Sequence, residues 1–153
     1  MVLRPPVEPM LAQARDQLPA PGTLPGQLVF QPKFDGYRAL VFTPCPAPGP
    51  VLIQSRRGSL IQSRFPDLAA AAGHLPDGLV LDGEVVVWSR EQLSFEALQR
   101  RAASSGGAAG RLAEEIPAHF IAGVRAGSWA DPRGAIGRSR QVDDPCSSCP
   151  TGV

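Results

Sequence analysis

The chain has 153 residues, 43% of them hydrophobic, and its 15 Lys and Arg against 14 Asp and Glu give a formal net charge of +1. That length suits one domain, or a piece of a larger one, with a modest core. The near-neutral balance excludes the global basic footprint of a dedicated nucleic-acid binder, so any such contact is local. No apolar run approaches the roughly 20 residues of a membrane span, and Met1-Val2-Leu3-Arg4-Pro5-Pro6 lacks the layout of a secretory signal, which predicts a cytoplasmic protein without membrane contact.

Residues 1–27 are dense in proline and broken by Ala20-Pro21-Gly22 and Pro25-Gly26. They read as an extended leader with room for one short helical segment from Met10 to Gln17. Leu28-Val29-Phe30 begins a β-prone run that stops at an Asp35-Gly36 turn, and Tyr37 to Phe42 alternates into the next strand. Thr43 to Pro50 is a proline-rich loop that leads into a strand at Val51 to Ser55. Pro66 at a first helical position, the run Asp67 to Ala72 and the stop at Gly73 define a short helix. Gly78 to Trp88 is the strongest strand region, with two apolar runs flanking Asp82-Gly83-Glu84. Ser94 caps a helix from Phe95 to about Ala103, which Ser104-Ser105-Gly106-Gly107 ends. Ala118 to Ala122 is a last apolar stretch. From Gly123 onward the composition turns to Gly, Arg, Ser, Asp and Pro without period, too little apolar surface to offset the ordering entropy, so 123–153 is expected to be disordered.

Three cysteines in a chain without a secretory signal argue against a disulfide framework. Cys146-Ser147-Ser148-Cys149 has a zinc-like spacing, but no H-x-E element accompanies it.

Lys33 is the sole lysine among those 15 cations. A composition that favours arginine yet keeps one lysine points to chemistry a permanently protonated guanidinium does not perform, since a lysine amine can lose its proton and act as a nucleophile. Two further features stand out: Ser55-Arg56-Arg57-Gly58 at a strand end, and the carboxylates of Asp82-Gly83-Glu84 between apolar runs. Each has a plain alternative when taken singly. An isolated lysine is ordinarily a solvated surface group, Arg56-Arg57 a solvated turn, and Asp82-Gly83 a hairpin turn that presents Glu84.

Taken together, the three pieces resemble the adenylation domain of ATP-dependent DNA ligases, within the nucleotidyltransferase superfamily. Lys33, Asp35, Gly36 and Arg38 match the K-x-D-G-x-R pattern. The S-R-x-G element at Ser55, Arg56 and Gly58 precedes Phe65-Pro66-Asp67-Leu68, and Asp82-Gly83-Glu84 follows in the family's order. The likeness runs from about Pro5 to Ala122 and includes the opening Pro6 to Ala12.

The resemblance implies an α+β fold: a partial, ATP-grasp-like nucleotidyltransferase core of antiparallel strands with short helices over 28–122, in which Lys33 and Glu84 face one cavity. Lys33 would be the catalytic residue, attacking the α-phosphorus of ATP and holding AMP as a lysyl phosphoramidate. That role needs an accessible neutral amine, favoured by burial and neighbouring cations. Arg38 and Arg56 would hold the ribose and phosphates, and Glu84 the ribose hydroxyls or the metal. Gln31 stands where the family commonly has a Glu facing the adenine amino group; its amide oxygen can accept that bond without charge assistance. ATP and Mg2+ are the implied cofactors, nicked double-stranded DNA the implied partner, bound weakly by this chain, and a monomer the implied state, with work in DNA repair, recombination and replication.

The pattern then departs from the family. Gly123 occupies the expected aromatic position of a Phe-Asp-x-Leu element, no E-G-x-V element follows, and a K-x-K element is precluded by the single lysine. The expectation is a ligase chain truncated or frame-shifted after about Ala122, impaired in activity and with one sheet face exposed. The other readings are a non-catalytic nucleotide- or DNA-binding remnant and an RNA ligase or capping-type nucleotidyltransferase; the Ser-Arg-x-Gly and Phe-Pro-Asp-Leu context favours DNA ligase.

Overall fold

Alternating apolar positions generate the sheet at the centre of the computed structural model, which describes residues 3–10, 14, 16–20, 22–23 and 32–123. Its strands are β1 (Tyr37–Phe42), β2 (Leu52–Ser55), β3 (Val80–Ser89), β4 (Gln92–Leu93) and β5 (Ala118–Ala122). The order is β2-β1-β3-β4, and β5 also pairs with β3; every pairing is antiparallel. Among the described residues three short helices accompany it: α1 (Pro66–Ala72), α2 (Phe95–Ala103) and α3 (Gly107–Glu115). This is the α+β architecture of antiparallel strands and short helices that the sequence predicts. Gln31, the expected strand Leu28 to Phe30, Cys146, Cys149 and the tail from 124 onward lie outside the described residues.

Period-two alternation divides the sheet into two unlike faces. Ala39 and Val41 of β1, Ile53 of β2, Val85 and Val87 of β3 and Ala118 of β5 point to one side. There they meet Phe65, Leu68 and Ala72 from α1 and its approach, and Leu98 of α2. The opposite side carries Arg38, Leu40, Gln54, Asp82, Glu84 and Val86, as the registers Arg38↔Glu84, Leu40↔Asp82 and Leu40↔Gln54 require. β3 is continuous through Asp82-Gly83-Glu84 rather than broken there, because both carboxylates fall on this second face and Gly83 on the first. A Cβ at Gly83 would collide with the Ile121 carbonyl oxygen and lie 2.7 Å from Phe120 Cζ, so only glycine lets β5 pack here.

Local signals explain α1 and α2. α1 starts with Pro66 at its first turn, and α2 is capped by Ser94, whose Oγ accepts the Ala97 amide at 3.2 Å. The helix expected over Met10 to Gln17 is absent at the described Met10, Ala14, Asp16 and Gln17. α3 and β4 have weak local signals and were not expected. Glycines open α3, and its hold comes from burying Ala109 rather than from propensity. β4 follows a two-residue turn in which Arg90 and Glu91 both take positive φ, without the Asn-Gly pair that ordinarily marks such a hairpin.

Arg101 ties the helical layer together. Its side chain is 0% exposed; Nη2 donates to Asp67 Oδ1 at 2.6 Å and Nη1 to the Ile116 carbonyl at 2.9 Å. Its guanidinium lies 5.5 Å from the centre of the Phe65 ring, and Asp67 Oδ2 accepts the Ala118 amide at 2.8 Å. The Phe65-Pro66-Asp67-Leu68 element is thus a structural device that joins α1, α2 and the start of β5.

Candidate active site

Gly36 brings the first motif against the third. A Cβ at this position would lie 2.6 Å from the Val85 carbonyl oxygen, 2.9 Å from Val86 Cγ1 and 3.0 Å from Glu84 Oε2. The absence of a side chain therefore lets the Lys33–Arg38 segment enter β1 while its backbone lies on β3. Burial pushes the Glu84 carboxyl above its ordinary value, and the Asp35 charge adds to that rise. A backbone hydrogen bond at Gly36 and the charges of Lys33 and Arg38 oppose it. All four signature positions thus act on one carboxylate. Glu84 Oε2 is buried without a hydrogen-bond partner among the described residues.

Lys33 does not have the expected enclosure. Its side chain is 90% exposed, and its nearest ionic neighbour is Asp35, with Nζ 3.8 Å from Oδ1. Residues 24–31, on its N-terminal side, lie outside the described residues. Its charge reaches Glu84, but the desolvated amine and shared closed cavity predicted from sequence are not found.

Arg38 is committed to protein partners. Its Nε and Nη2 donate to Asp82 Oδ1 and Oδ2 at 3.1 and 2.8 Å, a two-pronged pairing across adjacent strands. Nη1 donates to the Met10 carbonyl at 2.6 Å. The Asp82 hydrogen bonds hold the guanidinium in its charged form, pushing its pKa up. Asp82 was legible only as part of the carboxylate element; the missed signal is its i, i+2 spacing from Glu84, which puts both acids on one face.

Arg56 follows Ser55, the β2 partner of Ala39, so it leaves the sheet beside the Arg38↔Glu84 pair of β1 and β3. It lies in the turn after β2, where the Gly58 amide donates to the Ser55 carbonyl at 2.9 Å and Gly58 takes φ +86. With Arg57, Glu8 and Pro9 it lines a shallow groove of about 430 Å3. The leader residues of this groove are held on the second sheet face by Gln54, whose Oε1 accepts the Val7 amide at 2.8 Å and whose Nε2 donates to the Val7 carbonyl at 2.6 Å. The expected exposed sheet face is not seen along β1 and β3: Leu40, Phe42 and Val86 are buried there, with Gly36 packed on Val86.

Among the described residues no group of three or more His, Cys, Asp or Glu could hold a metal ion. Magnesium is commonly held by one or two carboxylates together with substrate phosphates rather than by a protein cage. Glu84, with its unpartnered oxygen, fits such a single-carboxylate site.

The antiparallel sheet thus carries the Lys33–Arg38 segment against Glu84 of its central strand, with short helices packed on the other face. The family described as ATP dependent DNA ligase domain matches residues 9–122, and the chain belongs to that family. It is 40% identical over 119 residues to DNA ligase C2 of Mycolicibacterium smegmatis, covering 77% of this chain and 31% of that one. It is also 40% identical over 124 residues to DNA ligase C1 of the same organism, covering 78% and 34%. DNA ligase C of Mycobacterium tuberculosis is 35% identical over 119 residues, covering 77% and 31%. The chain spans about a third of the length of these curated relatives. No helix of the described residues is long and apolar enough to cross a membrane.

Proposed function

We propose that this chain carries the lysine-adenylation chemistry of an ATP-dependent DNA ligase. Lys33 Nζ attacks the α-phosphorus of ATP; the new N–P bond forms as the bond between the α-phosphorus and the β-phosphate oxygen breaks. Pyrophosphate leaves, the amine proton passes to solvent, and AMP stays on Lys33 as a phosphoramidate. The observation that supports this most is the approach of Gly36 to Glu84 together with the cross-strand pairing of Arg38 with Glu84, which joins two motifs distant in sequence at one carboxylate.

Glu84 is read as the ribose or metal contact, since its Oε2 has no partner and Asp82 is engaged by Arg38. Mg2+ bound with the nucleotide would offset triphosphate charge. Arg56 is read as a phosphate contact at the groove edge and Gln31 as the adenine contact. Sealing of nicked DNA, and with it a place in repair, recombination or replication, is proposed for a complete ligase, working as a cytoplasmic monomer. No E-G-x-V or K-x-K element occurs in these 153 residues, so adenylation by this chain alone should be slow.

Incubation with α-labelled ATP and magnesium tests this reading. Covalent label on the chain, lost in Lys33→Arg, supports it. ATP held only non-covalently favours a nucleotide-binding remnant instead.

A further inference from the structure

Gln54 sits in mid-strand with 0% exposure, on the face that carries Arg38, Asp82 and Glu84 rather than on the core face. An apolar side chain would satisfy packing at such a position, whereas a buried amide is unfavourable unless both its ends are bonded. Both are bonded, and to a single residue: Val7, whose amide and carbonyl it engages at 2.8 and 2.6 Å across 47 residues of sequence. The side-chain amide thus mimics the backbone of a paired strand. Three residues further along, the Met10 carbonyl accepts from Arg38, which is held by Asp82. Between these two anchors lie Glu8 and Pro9, which line the same groove as Arg56 and Arg57.

We propose that Gln54 is a positioning residue for the nucleotide site: its two bonds to Val7 fix the segment from Val7 to Met10 as one wall of the groove at Arg56 and Arg57. The inference rests on the adenylation reading, because it makes this wall part of where the nucleotide's anionic end is received. Pre-setting a wall lowers the ordering penalty of binding. Releasing it therefore weakens ATP capture without altering the nucleophile, which lies on a different segment.

The test uses the full chain. Labelling of Lys33 is followed against ATP concentration for the wild type, Gln54→Ala and Gln54→Glu, and ATP affinity is measured by calorimetry in a Lys33→Ala background with and without Gln54→Ala. Hydrogen exchange of the peptide over residues 3–10 reports whether the segment is released. Gln54→Ala should speed that exchange, weaken ATP binding roughly three- to tenfold, and leave the labelling rate at saturating ATP within about twofold. Gln54→Glu sets a second oxygen against the Val7 carbonyl and buries a charge, so it should weaken ATP binding at least as much as Gln54→Ala at neutral pH. Gln54→Met keeps most of the volume without either bond and carries the same comparison if the alanine variant does not fold. Unchanged ATP affinity despite a released segment, or no release at all, would overturn the inference while labelling of the wild type stands. A wild type that takes no label, with a Lys33→Ala chain that binds no ATP, would overturn the adenylation reading itself, and with it this inference.

Discussion

Arg38 and Asp82 meet diagonally across β1 and β3, with two nitrogen–oxygen contacts of 3.1 and 2.8 Å, and so a residue of the first motif is fixed by a residue of the third. Loss of one partner leaves the other charge half-buried and unpaired. Asp82→Ala should lower unfolding stability by about 1.5–3 kcal/mol, the range for a hydrogen bond to a charged group. Urea denaturation of the two proteins checks it, and the same variant should free the Met10 end of the leader.

Arg101 gives the largest expected stability effect. Its guanidinium has no access to water and satisfies Asp67 and the Ile116 carbonyl. Asp67→Ala strands that charge in the core and should destabilise by about 3–5 kcal/mol, a large part of a small domain's total. Thermal unfolding with circular dichroism reads it. Arg101→Lys should not rescue the fold, since an ammonium does not reproduce the planar fork.

Gly36→Ala tests the close approach that joins the motifs. The added methyl would lie 2.6 Å from the Val85 carbonyl oxygen, an atom of the central strand that has little room to move. The variant should lose about 1–3 kcal/mol of stability. It should also lose most lysine labelling, because relief of the clash moves the Lys33 segment away from Glu84. Denaturant midpoints and label yield are the two readouts.

The fold's outline was legible where a local signal dominates. β1 has the bounds its alternation predicts, and Pro66 and Ser94 begin α1 and α2 as such residues do. α3 was hidden because Gly107 and Gly110 depress propensity while tertiary packing holds it. β4 was hidden because Arg90 and Glu91 are unusual residues for a positive-φ turn. In the site, the types of the reactive residues were readable but their partners were not: Arg38 finding Asp82 and Gln54 finding Val7 are long-range pairings with no local trace. The enclosure of Lys33 has no local trace either, since a side chain's neighbours come from distant segments, and the amine is 90% exposed with Asp35 as its ionic neighbour.

The same turn supplies a stabilising substitution. Both Arg90 and Glu91 hold φ values of 49 and 63 degrees, a region where a Cβ is unfavourable by roughly 1–2 kcal/mol. Glu91→Gly should raise stability by up to about 1 kcal/mol, seen as a higher urea midpoint with an unchanged slope.

Glu84 sets a pH dependence of definite sign. Burial raises its pKa in the folded chain, so the native state binds this proton more tightly than the unfolded state does. Its contribution to stability is therefore fully present below the unfolded value and is lost as pH rises through the raised folded value. Glu84→Gln should remove the part of the slope that lies at and just above the ordinary carboxylate range and make the chain relatively more stable at neutral pH. Urea midpoints across this range, compared with wild type, give the difference directly.

Peptide mapping of the chain after exposure to ATP decides whether Lys33 is the nucleophile. After incubation with ATP and magnesium, mass spectrometry of proteolytic fragments should find one AMP, on the fragment that contains Lys33, and none on the corresponding fragment of Lys33→Arg. AMP attached elsewhere, or a chain that binds ATP and magnesium yet forms no covalent adduct, would rule out Lys33 as the adenylated residue.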